Sequence, residues 1–163
     1  ISGKEPPAAM LKLDFRNAFN TVSRPKVLQA VATHFPKLLP WVHYTYSCAP
    51  VLYLEDIKLS SKAGVQQGDP LGPLLFALAS FPLVQAINQA CPNLRLHSWF
   101  LDDMVAIGSP DELYTALQSV QNISPCLSLD LHLGDLVPSS SPFKTSRTFL
   151  RTSFATWGME QSS

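Results

Sequence analysis

Hydrophobic and polar positions along this 163-residue chain change period several times, and each change predicts an element. Met10-Leu11-Lys12-Leu13-Asp14-Phe15 predicts a short strand closing on an acid, with turn formers at Arg16 to Asn20. Val27, Val31 and Phe35 recur every fourth residue, and Leu28 widens the stripe. That spacing predicts an amphipathic helix, capped by Ser23, begun near Pro25 and stopped by Pro36. Lys37 to Tyr46 predicts a second short helix with Leu38, Trp41 and Val42 inward. Val51–Leu54 and Ile57–Ser60 flank Glu55-Asp56 and predict a hairpin, although Glu-Asp is not a preferred two-residue turn.

Two Pro and three Gly between Gly64 and Pro73 hold open a loop. Leu74 to Ala90 predicts a strongly apolar helix, bent at Pro82. The run is shorter than the roughly 20 residues of a membrane span. It is interrupted by Pro and ends in Gln85, Asn88 and Gln89, so a buried core helix is expected. Arg95 to Phe100 and Met104 to Ile107 read as strands around the turn Leu101-Asp102-Asp103. Ser109-Pro110-Asp111-Glu112 combines a cap, a first-turn Pro and an acid three residues on, ahead of the buried positions Leu113, Leu117 and Val120. Leu127, Leu129, Leu131 and Leu133 alternate as one strand. The fold class that follows is α+β, a small antiparallel sheet packed on two or three helices. Residues 136–163 are expected to form a poorly ordered tail.

An apolar fraction of 46% and a charged fraction of 15% fit a single globular domain. Net charge is zero, but its distribution is uneven. Residues 1–62 carry eight Lys or Arg against four acids, and residues 63–135 carry Arg95 alone against seven. The acidic middle contains Asp102 and Asp103 and looks like a cation site. Cys48, Cys91 and Cys126 lack metal or redox spacing, so buried free thiols in a reducing, intracellular compartment are expected. No secretory signal pattern opens the chain. It begins at Ile1, which suggests a piece of something longer.

Should the Asp14 strand pair beside the Asp102–Asp103 hairpin, three carboxylates would converge at one sheet edge. Such a group without Arg or Lys beside it needs divalent cations, and oxygen ligands suit Mg²⁺. Taken alone, adjacent Asp residues are more often a solvated turn, Phe19 a core aromatic, and Asp69 a turn or cap residue. Arg16 and Arg24 read as exposed basic residues, and the four His show no ligand spacing.

Leu13-Asp14-Phe15-Arg16-Asn17-Ala18-Phe19-Asn20-Thr21-Val22 resembles the first palm motif of reverse transcriptases from non-LTR (LINE-like) retroelements. The segment from Gly64 through Gln67-Gly68-Asp69-Pro70-Leu71-Gly72-Pro73 to Phe76 is very similar to their second motif. Phe100-Leu101-Asp102-Asp103 is similar to the third. All three stand in the family's order.

The resemblance implies an RNA-directed DNA polymerase palm over residues 1–135, built on a small antiparallel sheet. Asp14, Asp102 and Asp103 would be catalytic and hold two Mg²⁺ ions, with Mn²⁺ as a substitute. Backbone amides at Phe15 and Arg16 would face the triphosphate of a dNTP. Phe19 would lie under the sugar and reject a 2′-hydroxyl. Gln67, Gly68 and Pro70 would approach the template and the nascent base pair. RNA template, DNA primer and dNTPs are the implied partners, and no membrane is. The family also has basic fingers ahead of the first motif and a thumb behind the palm, neither of which matches here. The isolated chain is therefore expected to be inactive. The rival reading is a non-catalytic retroelement remnant that binds protein or RNA; a further one is the group II intron branch.

Overall fold

A computed structural model describes residues 8–138. Ala9–Arg16 forms strand β1, in which Ala9, Leu11, Leu13 and Phe15 are buried while Lys12 and Arg16 are exposed. This period of two turns Asp14 to the face opposite Leu13. Three further strands, β4 (Leu96–Phe100), β5 (Asp103–Gly108) and β6 (Asp130–Pro138), complete an antiparallel sheet in the order β4-β5-β1-β6. Leu13 pairs with Met104 and Phe100 with Asp103, while on the other side Asp14 pairs with His132 and Phe15 with Leu131. A register shift between Leu11 and Leu13 marks an irregularity against β6.

Helices cover one face of this sheet. α5 (Pro110–Ile123) lies against β1 and β5, α4 (Gly72–Ala90) packs on α5, and α2 (Arg24–His34) packs on α4. Leu11, Leu13 and Met104 meet Leu113 and Val120 from α5 and Leu75, Leu83 and Ile87 from α4 in one core. Burying side chains of this size contributes about 1.5–3 kcal/mol each. The start of α5 carries a capping box: the Glu112 amide donates to Ser109 Oγ, and the Ser109 amide donates to Glu112 Oε2. α4 is long and apolar enough to cross a membrane by length and composition, and its Leu75, Phe76, Ala79, Leu83 and Ile87 face is buried in the core. It runs unbroken through Pro82, which is exposed.

Between β1 and α4 the chain forms α1 (Ala18–Thr21), α2, a 3₁₀ turn at Pro36–Leu38, α3 (Leu39–Tyr46) and a separate hairpin of β2 (Val51–Leu54) and β3 (Ile57–Ser60). The hairpin forms despite its Glu-Asp turn because Glu55 takes the left-handed conformation, φ 52°.

Several expected positions differ. Phe35 is 48% exposed, because it is the C-cap of α2 and leaves the helical stripe before Pro36. Trp41 is 63% exposed; Val42 and Tyr46, four apart, form the buried face of α3 and leave Trp41 beside it. Ser23 precedes α2 as expected but makes no side-chain capping bond. Leu127 lies in a 3₁₀ turn (Ser124–Leu127), and Ser128 at φ 59° breaks the chain before β6, so the alternating leucines are not one strand. Of the thiols only Cys91 is buried; Cys48 and Cys126 are exposed. The tail was expected from residue 136, but β6 continues to Pro138 under its pairing with β1; the rest of it, 139–163, lies outside the described residues.

Candidate active site

The uncovered face of the sheet carries the acids. The β1–β5 register ends at the pair Leu13–Met104, and Asp14 and Asp103 are the next residues along the two adjacent strands. Asp103 pairs with Phe100 across the β4–β5 hairpin, and Asp14 with His132 across β6. Cross-strand partners share a face. Phe100, Asp103, Asp14 and His132 therefore form one row across all four strands. Asp102 occupies the hairpin turn beside Asp103, with Leu101 at φ 56°. β1 runs on past its last pair with β5, at Leu13, while still paired with β6 as far as Arg16. The Phe15 ring is buried and lies 6.4 Å from Trp99, and Arg16 is exposed with its Nε 3.9 Å from Asp130.

The residues present fit a divalent cation in chemical type. Carboxylate oxygens are hard donors, and two half-buried acids at the ends of adjacent strands call for a positive charge. Lys12, two residues before Asp14 on the same face, supplies one: its Nζ lies 3.6 Å from Asp103 Oδ1. The acids were expected to stand without a basic neighbour, and Lys12 corrects that. Among the described residues no three His, Cys, Asp or Glu side chains are gathered closely enough to hold a metal ion. Like charges stay apart without a cation between them.

The loop from Ser61 to Leu71 is clamped from two sides. Arg24, 6% exposed, donates from Nε to the Gly64 carbonyl (2.8 Å), from Nη1 to the Ser61 carbonyl (2.7 Å), and from Nη2 to Ser61 Oγ (2.9 Å) and the Ala63 carbonyl (3.1 Å). Gly64 at φ 73° donates its amide to the Val22 carbonyl (2.9 Å), and Val65 donates to Phe19 (2.7 Å). A Cβ on Gly64 would stand 2.4 Å from the Asn20 backbone, so only Gly fits. Further along, the Tyr46 hydroxyl donates to Asp69 Oδ2 and accepts from the Gln66 amide (3.2 Å), while Asp69 Oδ1 accepts from the Leu71 amide (2.9 Å). Asp69 is thus a turn residue, as expected. Within the span of the second clamp Gln67, Gly68 and Pro70 are exposed, and Gly68 takes φ 91° with open space around it. Phe19, half-buried, stacks on Phe76 of α4 with centroids 4.8 Å apart and planes 11° from parallel.

Burial shapes the chemistry of the clamp. It lowers the pKa of the Arg24 guanidinium, an effect countered by Tyr46, whose ring lies 5.5 Å from its centre. It raises the Tyr46 hydroxyl to about 12, helped by the bond to Asp69. The Cys91 thiol is raised by burial and then by Glu112.

Arg24 was expected to be exposed, and its burial under the loop had no local signal, because its partners lie about 40 residues on. Tyr46 and His132 were missed for the same reason: their placement depends on distant pairing. Lys12 was legible, since a strand's period of two puts it on the face of Asp14.

An antiparallel four-stranded sheet backed by helices, with acids on its open face, is a polymerase palm. Solved structures agree on the fold. Apo telomerase from Candida tropicalis aligns with a TM-score of 0.60 at 12% identity, over 88% of this chain and 33% of that one. Telomerase from Candida albicans, solved with a fragment of telomeric RNA, aligns at 0.59 and 12%, over 87% and 29%. The reverse transcriptase (RNA-dependent DNA polymerase) family profile matches residues 4–133, and the chain belongs to that family. Similar curated proteins include the retrotransposable element SLACS 132 kDa protein of Trypanosoma brucei gambiense, 32% identical over 112 residues. Another is a Pol polyprotein from the type-1 retrotransposable element R2 of Popillia japonica, 30% identical over 93 residues. The matches take in 64% and 53% of this chain but span only 9% and 15% of those relatives. The chain is by ancestry an RNA-directed DNA polymerase domain of the retrotransposon kind.

Proposed function

We propose that this domain serves template-directed DNA synthesis on RNA, as the metal-holding palm that joins dNTPs to a primer 3′-hydroxyl. One observation carries the reading: Asp14 and Asp103 follow the last pair, Leu13–Met104, of the adjacent strands β1 and β5, with Asp102 in the adjoining turn. Reverse transcriptase domains use divalent ions, and we assign Mg²⁺, with Mn²⁺ as substitute, to Asp14, Asp102 and Asp103. When bound, such ions stabilise charge on the transferring phosphoryl group and on the attacking oxygen. The 3′-oxygen bonds to the α-phosphorus as the bond to pyrophosphate breaks.

The chain's own residues prepare that step. The amides of Phe15 and Arg16 lie where β1 has run past β5, and we assign them to the triphosphate. Phe19, held flat on Phe76, is suited to be a steric wall at the sugar. The apex of Gln67, Gly68 and Pro70 is assigned to the template and nascent pair, which the clamped loop would meet without reorganising. RNA as template is supported by the family and by the telomerase solved with telomeric RNA. We place α4 in the core rather than in a membrane, and the protein inside the cell, where its three free thiols persist.

Manganese titration followed by electron paramagnetic resonance tests the site. Asp14→Asn and Asp103→Asn should each weaken binding about tenfold or more, as loss of a charged ligand does. Undetectable binding, or binding unchanged in both variants, would favour a non-catalytic remnant. The isolated chain, spanning a small part of its relatives, is expected not to extend a primer on RNA. Extension that disappears in Asp102→Ala would show that it suffices alone.

A further inference from the structure

The edges of the main sheet are β4 and β6, and they differ in composition. β6 begins at the exposed acid Asp130 and ends at Pro138, which has no amide hydrogen to offer a neighbour. Charge and Pro are the usual means by which an edge strand turns other strands away. β4, Leu96-His97-Ser98-Trp99-Phe100, has no Pro, acid, Lys or Arg. It pairs with β5 alone, and no strand lies along its other edge among the described residues. Leu96 and Phe100 are 48% and 77% exposed on the uncovered face, with exposed Ser98 between them. The alternate residues fix the strand from the helix side. His97 Nε2 donates to Asn88 Oδ1 of α4 (2.8 Å), and Trp99 stacks on Phe15.

β4 is complementary to itself. Antiparallel pairing of two copies centred on Ser98 sets Leu96 of each opposite Phe100 of the other, and Ser98 opposite Ser98. An aliphatic side chain against an aromatic ring is a favourable cross-strand pair, and cross-strand partners share a face. The flanking charges agree with this direction. Arg95 immediately precedes β4, and Asp102 and Asp103 follow close behind it, so the basic end of one copy lies beside the acidic end of the other. Parallel pairing would set like ends together.

We infer that the free edge of β4 docks a second copy of this chain, the two four-stranded sheets joining antiparallel about a two-fold axis at Ser98. Backbone donors and acceptors on that edge, which β5 does not use, supply the hydrogen bonds. The exposed Leu96 and Phe100 side chains supply the apolar contact. Such an interface is isologous, so it closes at the dimer. A second copy is the occupant because the same five residues, used twice, satisfy both the apolar pairs and the end charges. The inference stands apart from the assignment of metal to Asp14, Asp102 and Asp103.

Sedimentation velocity of the whole chain over about a hundredfold range of concentration tests it. The unaltered chain should pass from monomer to dimer. Ser98→Lys sets two ammonium groups face to face at the axis and should weaken the dimer about tenfold or more, and Ser98→Glu should do the same with carboxylates. An equimolar mixture of the two variants should dimerise again, because an axis at residue 98 brings Lys opposite Glu. In the unaltered chain, amide exchange in β4 should slow about tenfold across the concentration range while exchange in β6 stays unchanged. A monomer at every concentration, a dimer unmoved by both charged variants, or a mixture no better than either variant alone would overturn the inference. Concentration-dependent protection in β6 and not in β4 would overturn it as well, even where the variants fail to fold.

Discussion

Lys12 Nζ lies 3.6 Å from Asp103 Oδ1, so the acid row of the sheet already holds a cation of its own. Both side chains are about half exposed, at 51% and 48%, which limits the pair to roughly 0–1 kcal/mol. Its larger consequence is competition. A divalent ion settling on Asp103 must displace the ammonium or endure its repulsion. Lys12→Met should therefore tighten manganese binding by about two- to fivefold at low salt, the effect fading as salt screens the charge. Calorimetric titration at two ionic strengths measures it, and unchanged affinity at both would remove Lys12 from the site.

Tyr46 links α3 to the loop and titrates abnormally. Its hydroxyl stays neutral to about pH 12 in the fold, while an unfolded chain releases that proton near pH 10. The folded state then holds more protons than the unfolded one between those values. Stability from this group is complete below about pH 10 and lost as pH rises toward 12. Urea unfolding of Tyr46→Phe should lack this part of the alkaline decline. At neutral pH the same variant should be about 1–2 kcal/mol less stable, since Asp69 and the Gln66 amide lose a partner.

Two glycines of the loop take positive φ, and they should answer substitution differently. Gly64→Ala drives a methyl to within 2.4 Å of backbone and should cost several kcal/mol, on the order of 3 or more. Gly68→Ala meets nothing within 4 Å and carries only the penalty of its φ, about 1–2 kcal/mol. Thermal unfolding of the two variants gives the comparison. Equal losses would mean that the loop does not rest on the Phe19–Asn20 backbone.

Elements with a strong local period were legible in the sequence. The strand through Asp14, the Ser109 capping box and the hairpin around Asp102 all follow from residues within a few positions of each other. Phe35 and Trp41 were misplaced because a helical stripe cannot show where a helix ends or which of two adjacent apolar residues finds a neighbour. The candidate site divides in the same way. Asp14, Asp102 and Asp103 belong to local motifs. Arg24 reaching Gly64, Tyr46 reaching Asp69 and His132 lying opposite Asp14 are set by packing between distant segments, which no short pattern contains.

β1 is an interior strand, paired on both sides by segments far along the chain. Asp14 and Asp103 become neighbours only when that long loop closes, and long-range closure of this kind is the slow part of folding. The carboxylate row thus depends on pairing between segments far apart in the chain. A chain in which β5 has not yet docked would have its helices but no place for an ion. Divalent affinity would report, during refolding, the moment at which β5 docks beside β1.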